Sequence, residues 1–231
     1  FWYCLGALYD ERRDRSILFW KSLPASDQMT VLSKALTAGV VIPAITIGVG
    51  IAMSLAILLA GLTGIAVTGV NLFGSALANP QLYLSPLALI ALLPVYMVWA
   101  LPTIGWLLLV SSWARSKVFL WAVGAPLVTL VVAKWISLLL NNFDAGGNGF
   151  IDFVRDAVAQ LLGGLVPGIW FPFKQVDPNL LMMAGRKGID VGSVVAQSYL
   201  TLASPDAWIG AAAGVAMLFG AIRLRRYRDE G

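Results

Sequence analysis

Between Lys34 and Arg115 the chain carries no charged side chain. A water-soluble fold would need a polar face on each helix and a charged surface around them, and residues 35 to 114 supply neither. The apolar stretches inside this run reach the ~20 residues that a helix needs to cross the hydrocarbon core of a bilayer. Lipid removes the need for a polar face, but it offers no partner to a free backbone N–H or C=O, so the chain must satisfy those groups within each segment as a helix does. The expected fold is all-α, a polytopic transmembrane helix bundle. Composition agrees, since 59% of residues are hydrophobic and only 12% charged, about half the usual share of charge.

Four complete spans are expected, at 35–59, 87–110, 118–140 and 207–222. Pro43, Gly48 and Gly50 fall inside the first, where membrane helices tolerate them as kinks or close contacts. Arg115 and Lys117 fall in a very short turn between the second and third. The last, WIGAAAGVAMLFGAI, is short and rich in small residues that permit close packing. The opening FWYCLGALYD reads as the end of an earlier span whose beginning is absent. Residues 60–86 are apolar but broken by glycines, Asn71, Asn79 and Pro80, and read as a helix extension or a re-entrant piece.

Lys and Arg cluster at 12–34, 115–117 and 223–228. Such clusters mark cytoplasmic flanks, so all three are expected on one side, with a cytoplasmic element at 10–33 and an extracytoplasmic connection at 141–206. A further crossing at 62–78 would break that parity. In the outer connection, FIDFVRDAVAQLL puts Ile151, Val154, Val158 and Leu161 on one helix face and Asp152, Arg155, Asp156 and Gln160 on another. That helix is expected on the membrane surface or capping the bundle, followed by an interfacial turn anchored by Trp170, Phe171 and Phe173, and then by loop with possible short helices over 174–205. The whole, 1–231, reads as one multi-pass membrane domain.

Several chemistries drop out. Cys4 is the sole cysteine and there is no histidine, which excludes disulfides, Cys/His zinc sites and a histidine base within these residues. GVG at 48–50 lacks the strand and further glycines of a dinucleotide loop, and no phosphate-loop GKS or GKT follows. DAGGNGFIDFVR resembles a calcium loop from Asp144, but its twelfth position is Arg155 instead of glutamate and its third is Gly146; a turn leading into the next helix accounts for it better. Lys134 is the one ionisable residue well inside an apolar segment, near enough to its end to snorkel. A net charge of +4 spread over span flanks points to membrane orientation, not to nucleic acid.

The densest charge lies in LYDERRDRSILFWKSLPASD, where Asp10, Glu11, Arg12, Arg13, Asp14 and Arg15 precede Ile17, Leu18, Phe19 and Trp20. Two readings fit it: a docking surface with a charged rim and an aromatic anchor, or a solvated loop with interfacial anchors. Pro24 separates it from a helix expected to start near Ser26, with Asp27 in its first turn.

The runs CLGALYDERRDRSILFWKSLPASDQMTVLSK and LPTIGWLLLVSSWARSKVFLWAVGAP, together with the span spacing, resemble the permease subunits of bacterial ABC-2 type transporters. The resemblance implies a membrane-spanning exporter subunit, working as a permease dimer among membrane lipids and coupled to a separate cytoplasmic ABC ATPase subunit. ATP and Mg would sit on that partner, with no cofactor and no catalytic residue in this chain. It implies that residues 10–33 are the coupling connection, with Asp14, Arg15, Phe19, Trp20 and Lys21 as ATPase contacts. The alternative class is a non-transporting membrane assembly or sensor subunit that docks a partner on the same patch.

Overall fold

The computed structural model describes residues 1–14, 26–142, 147–182 and 189–228. Its helices are α1 Trp2–Gly6, α2 Tyr9–Arg13, α3 Asp27–Leu36, α4 Ile42–Val67, α5 Phe73–Leu77, α6 Gln81–Leu84, α7 Ala88–Ala91, α8 Leu93–Trp113, α9 Val118–Asn142, α10 Gly147–Gly163, α11 Trp170–Phe173, α12 Val191–Thr201 and α13 Pro205–Arg228. No β-strand occurs among the described residues; one isolated bridge pairs Met182 with Ile189. Four helical stretches are long and apolar enough to cross a membrane: Asp27–Val67, Leu93–Trp113, Val118–Leu140 and Pro205–Arg226. The protein is thus an all-α polytopic membrane bundle with an additional short helical element at its start.

The first of these stretches is continuous from α3 through a π-helical turn at Thr37–Val41 into α4. Proline explains the turn. Pro43 has no N–H to give the carbonyl four residues back and its ring crowds that carbonyl, and widening the local winding relieves both; Ile42 N–H bonds instead to Thr37 O, five residues back. Ser26 caps the N-terminus of α3, accepting from Met29 N–H at 3.2 Å, as its position before Asp27 predicts. The helix extends to Val67, and the chain returns through short helical pieces of which residues 85–91 pack back on α4; among the described residues no second membrane-length helix lies between 68 and 86. α4 itself buries no residue; its uniformly apolar sides are free to face lipid.

The centre of the bundle is the pair α8 and α13, which run parallel. A methyl on Gly105 would lie 2.4 Å from Gly214 O, and one on Gly214 would lie 2.6 Å from Leu101 O. Backbone therefore packs on backbone, as small residues permit in membranes. α9 joins through a donor and an acceptor that need each other. Pro126 deprives Ala122 O of its in-helix partner, and the Trp106 indole N–H of α8 donates to that carbonyl at 2.9 Å.

α10 departs from the surface or capping position expected for it. It folds back antiparallel along α9, and its end reaches midway down α8, where Thr103 Oγ1 donates to Gln160 O at 2.8 Å and accepts from Gly164 N–H at 3.1 Å. Its apolar stripe includes the buried Val158, and helices cover that stripe better than a flat interface would. Residues 147–152 are already helical, so the Asn148–Asp152 part of the calcium-like run does not wrap a cation; Asp144 lies outside the described residues. Trp170, expected as an interfacial anchor, is 2% exposed and donates its indole N–H to Ser198 Oγ at 3.0 Å. That bond, and Trp99 Nε1 donating to Thr201 Oγ1 at 3.3 Å, seat α12, an 11-residue helix within the stretch expected as loop with possible short helices.

Candidate functional site

The basic clusters around Lys34 and Arg225 meet at one end of the bundle, the end where α8 passes into α9. Glu11 of α2 stands at their meeting point. Its Oε1 lies 2.7 Å from Lys34 Nζ and its Oε2 lies 2.9 Å from Arg225 Nη1. The other arm of the guanidinium, Nε, donates to Asp27 Oδ1 at 3.0 Å. The charges alternate along a line, Lys34, Glu11, Arg225, Asp27, and join three helices that are far apart in sequence.

Burial makes this node different from a surface pair. The Arg225 side chain is 5% exposed, Glu11 16% and Asp27 27%. Exposed pairs contribute about 0–1 kcal/mol, because water screens them and two long side chains must be ordered. Desolvated pairs cost energy to assemble but leave an uncompensated charge when one partner is removed. Such a node serves chiefly to fix which segments sit together. Each arm also has local support: Asp27 lies in the first turn of α3, where the helix dipole favours an anion, and the Lys34 ammonium also donates to Ala7 O at the end of α1.

Ser111 of α8 completes the mounting. Its buried Oγ accepts from Leu8 N–H at 3.1 Å and Tyr9 N–H at 3.0 Å, occupying amides that the start of α2 leaves without helical partners. Below it Cys4, Leu5, Leu8, Val31, Ala35, Leu107, Leu108 and Ala221 form one buried cluster. α2 is held by polar contacts on one side and by apolar packing on the other.

The expected docking residues are placed only in part. Asp14 follows α2, exposed, and accepts from Arg13 Nε at 3.2 Å. Arg15, Phe19, Trp20 and Lys21 lie outside the described residues. What the structure brings together is the pair of positions flanking them: Glu11 before the 15–25 segment and Asp27 after it converge on the single side chain of Arg225. In the sequence RLRRYR reads only as an orientation signal. The overlooked cue is helical phase, for Arg225 continues the inward face of Ala207, Ala211, Gly214, the half-buried Leu218 and Ala221 at intervals of three and four residues.

A cavity of about 680 Å³ opens between α1, the start of α4, the start of α8 and the turn after α10. Cys4, Ala38, Ile47, Leu92, Tyr96 and Trp170 are among its walls, and no charged side chain lines it. An ion entering it would lose hydration without recompense, whereas an apolar group would not. No cluster of three or more His, Cys, Asp or Glu side chains able to hold a metal exists among the described residues. Lys134 lies exposed on α9. Comparison with protein-family models, with curated proteins and with solved structures finds no match.

Proposed function

We propose that the chain is the membrane-spanning permease subunit of an ATP-driven ABC exporter in a bacterial cytoplasmic membrane, acting as a dimer and driven by a separate cytoplasmic ATPase subunit that binds ATP and Mg. The observation that carries this reading is the grip on both sides of the 15–25 segment. Glu11 and Asp27 bracket it and both bond Arg225, while Asp27 opens a helical stretch that continues to Val67. A partner seated on Asp14, Arg15, Phe19, Trp20 and Lys21 would pull directly on that lever.

The mechanism follows from the connections. A displacement of 15–25 moves α3, and the widened turn at Thr37–Val41 is the place where the lever bends relative to its membrane-embedded part. Through Arg225 the same displacement reaches α13, which is packed backbone to backbone on α8. ATP binding and hydrolysis on the partner would bias two arrangements of these helices, and the uncharged cavity suits passage of apolar groups over ions. No catalytic step falls to this chain.

The test is purification of the full-length protein with its bound partners, followed by ATP hydrolysis in nanodiscs. Recovery of an ABC ATPase, lost on combined Phe19→Ala and Trp20→Ala with membrane insertion intact, supports the reading. A stable complex that never hydrolyses nucleotide overturns it in favour of a non-transporting assembly or sensor subunit.

A further inference from the structure

The turn between α8 and α9, WARSK at 113–117, holds a second feature that the coupling reading does not use. A cavity of about 200 Å³ opens there, walled by Trp113, Ala114, Arg115, Ser116 and Trp121. The two indoles meet edge to face, with centroids 4.9 Å apart at 73°. Trp113 is 42% exposed and Trp121 45%, so each presents a ring edge at the level where two spans end, the depth tryptophan prefers in a bilayer.

The polar wall is made by Arg115 and Ser116, with Lys117 next along the turn. Arg115, Ser116 and Lys117 are exposed, and neither Arg115 nor Lys117 has a carboxylate in salt-bridge range among the described residues. Lys117 adopts φ 51°, a left-handed conformation uncommon outside glycine, and its carbonyl accepts from Leu120 N–H at 2.8 Å to start α9. No acidic residue occupies the first turn of α9, in contrast with Asp27 in α3 and Asp206 in α13. Beyond the cavity Leu120, Val128 and Val131 of α9 are exposed apolar side chains, continuing from the basic turn into the span.

We infer that this turn is a binding site for an anionic phospholipid, with the phosphate in the cavity beside Arg115, Lys117 of the same turn adding its charge, the headgroup against Trp113 and Trp121, and an acyl chain along the exposed face of α9. Basic pockets between membrane helices recognise such headgroups by this combination of cations and interfacial aromatics. The continuous apolar face selects a lipid over free phosphate, which gains nothing from it. The site draws on Trp113, Arg115, Lys117 and Trp121, none of which is one of the four charges of the Glu11–Arg225 node.

The experiment uses the full-length protein in nanodiscs and measures retention of phosphatidylglycerol against phosphatidylcholine by native mass spectrometry, with quenching of indole fluorescence by brominated phosphatidylglycerol as the local readout. The wild type should retain phosphatidylglycerol preferentially. Arg115→Gln with Lys117→Gln should lower that preference more than 10-fold, on a scale of about 5-fold per basic residue near an anionic headgroup. Arg226→Gln, at the same end but outside the turn, should change it by less than about 5-fold. Equal retention of the two lipids by the wild type, an equal loss in Arg226→Gln, or displacement of the lipid by millimolar inorganic phosphate would each overturn the proposal.

Discussion

If the four charges act as one node, Glu11 must be the more costly of its two anions to neutralise. Glu11 alone contacts two cations, at 2.7 Å and 2.9 Å, and its side chain is only 16% exposed. Glu11→Gln removes the carboxylate paired with Lys34 and leaves Arg225 with Asp27 as its one carboxylate among the described residues, so the cost should approach the ~3–5 kcal/mol of an orphaned buried charge. Asp27 is different. It is 27% exposed and holds one cation arm, and an asparagine there still offers an oxygen to Arg225 Nε. Asp27→Asn should therefore cost about 1–2 kcal/mol, between an exposed pair and a charged hydrogen bond. The difference of roughly 2 kcal/mol corresponds to about 30-fold in a folding equilibrium. Reversible unfolding of the full-length protein in mixed micelles, followed by tryptophan fluorescence, measures both. Combining Glu11→Gln with Arg225→Gln should show a coupling energy of at least about 1 kcal/mol. Equal costs for the two single variants, or additivity in the double variant, would refute the node as a cooperative unit.

Other expectations follow from the same packing. Gly105→Ala and Gly214→Ala should each destabilise by about 1–3 kcal/mol, since the new methyls meet backbone at 2.4 Å and 2.6 Å; Gly61→Ala, with nothing within 4 Å, should be neutral or gain up to about 1 kcal/mol. Micelle unfolding distinguishes these cases. Trp106→Phe should cost about 1–3 kcal/mol by orphaning Ala122 O, and adding Pro126→Ala should recover part of it by restoring the in-helix donor, a rescue that a purely apolar role for Trp106 does not predict. Asp190 caps α12, and the hydrogen bond from Ser193 holds its carboxyl below the usual carboxylate range. Its depressed folded value means that its support is present above the ordinary carboxylate pKa and is lost as pH falls through that depressed value; amide exchange at the start of α12 should rise there, and Asp190→Asn should abolish the dependence. Ser116→Cys and Asn179→Cys, both at exposed positions, should react with impermeant thiol reagents from opposite sides of the membrane while buried Cys4 stays inert, and reaction from one side alone would refute the proposed orientation.

Local sequence alone determined that the chain lives in a bilayer and crosses it as helices. The charge-free stretch from 35 to 114 permits little else, because length and transfer energy add residue by residue and need no knowledge of partners. Helix starts were legible where one side chain satisfies its own neighbours, as Ser26 does for Met29; Asp190 carried the same kind of signal before α12. Tertiary structure decided the rest wherever a group's partner lies far along the chain. Apolar helix faces look alike to lipid and to protein, so sequence left open that Trp170 is core and not interface, and that α10 turns back along α9. The node is the extreme case: Glu11 and Arg225 are separated by 214 residues, and either one alone reads as a solvated charge. Only the close approach of α13 to α8, set by Gly105 and Gly214, carries Arg225 to the place where it bonds both Glu11 and Asp27.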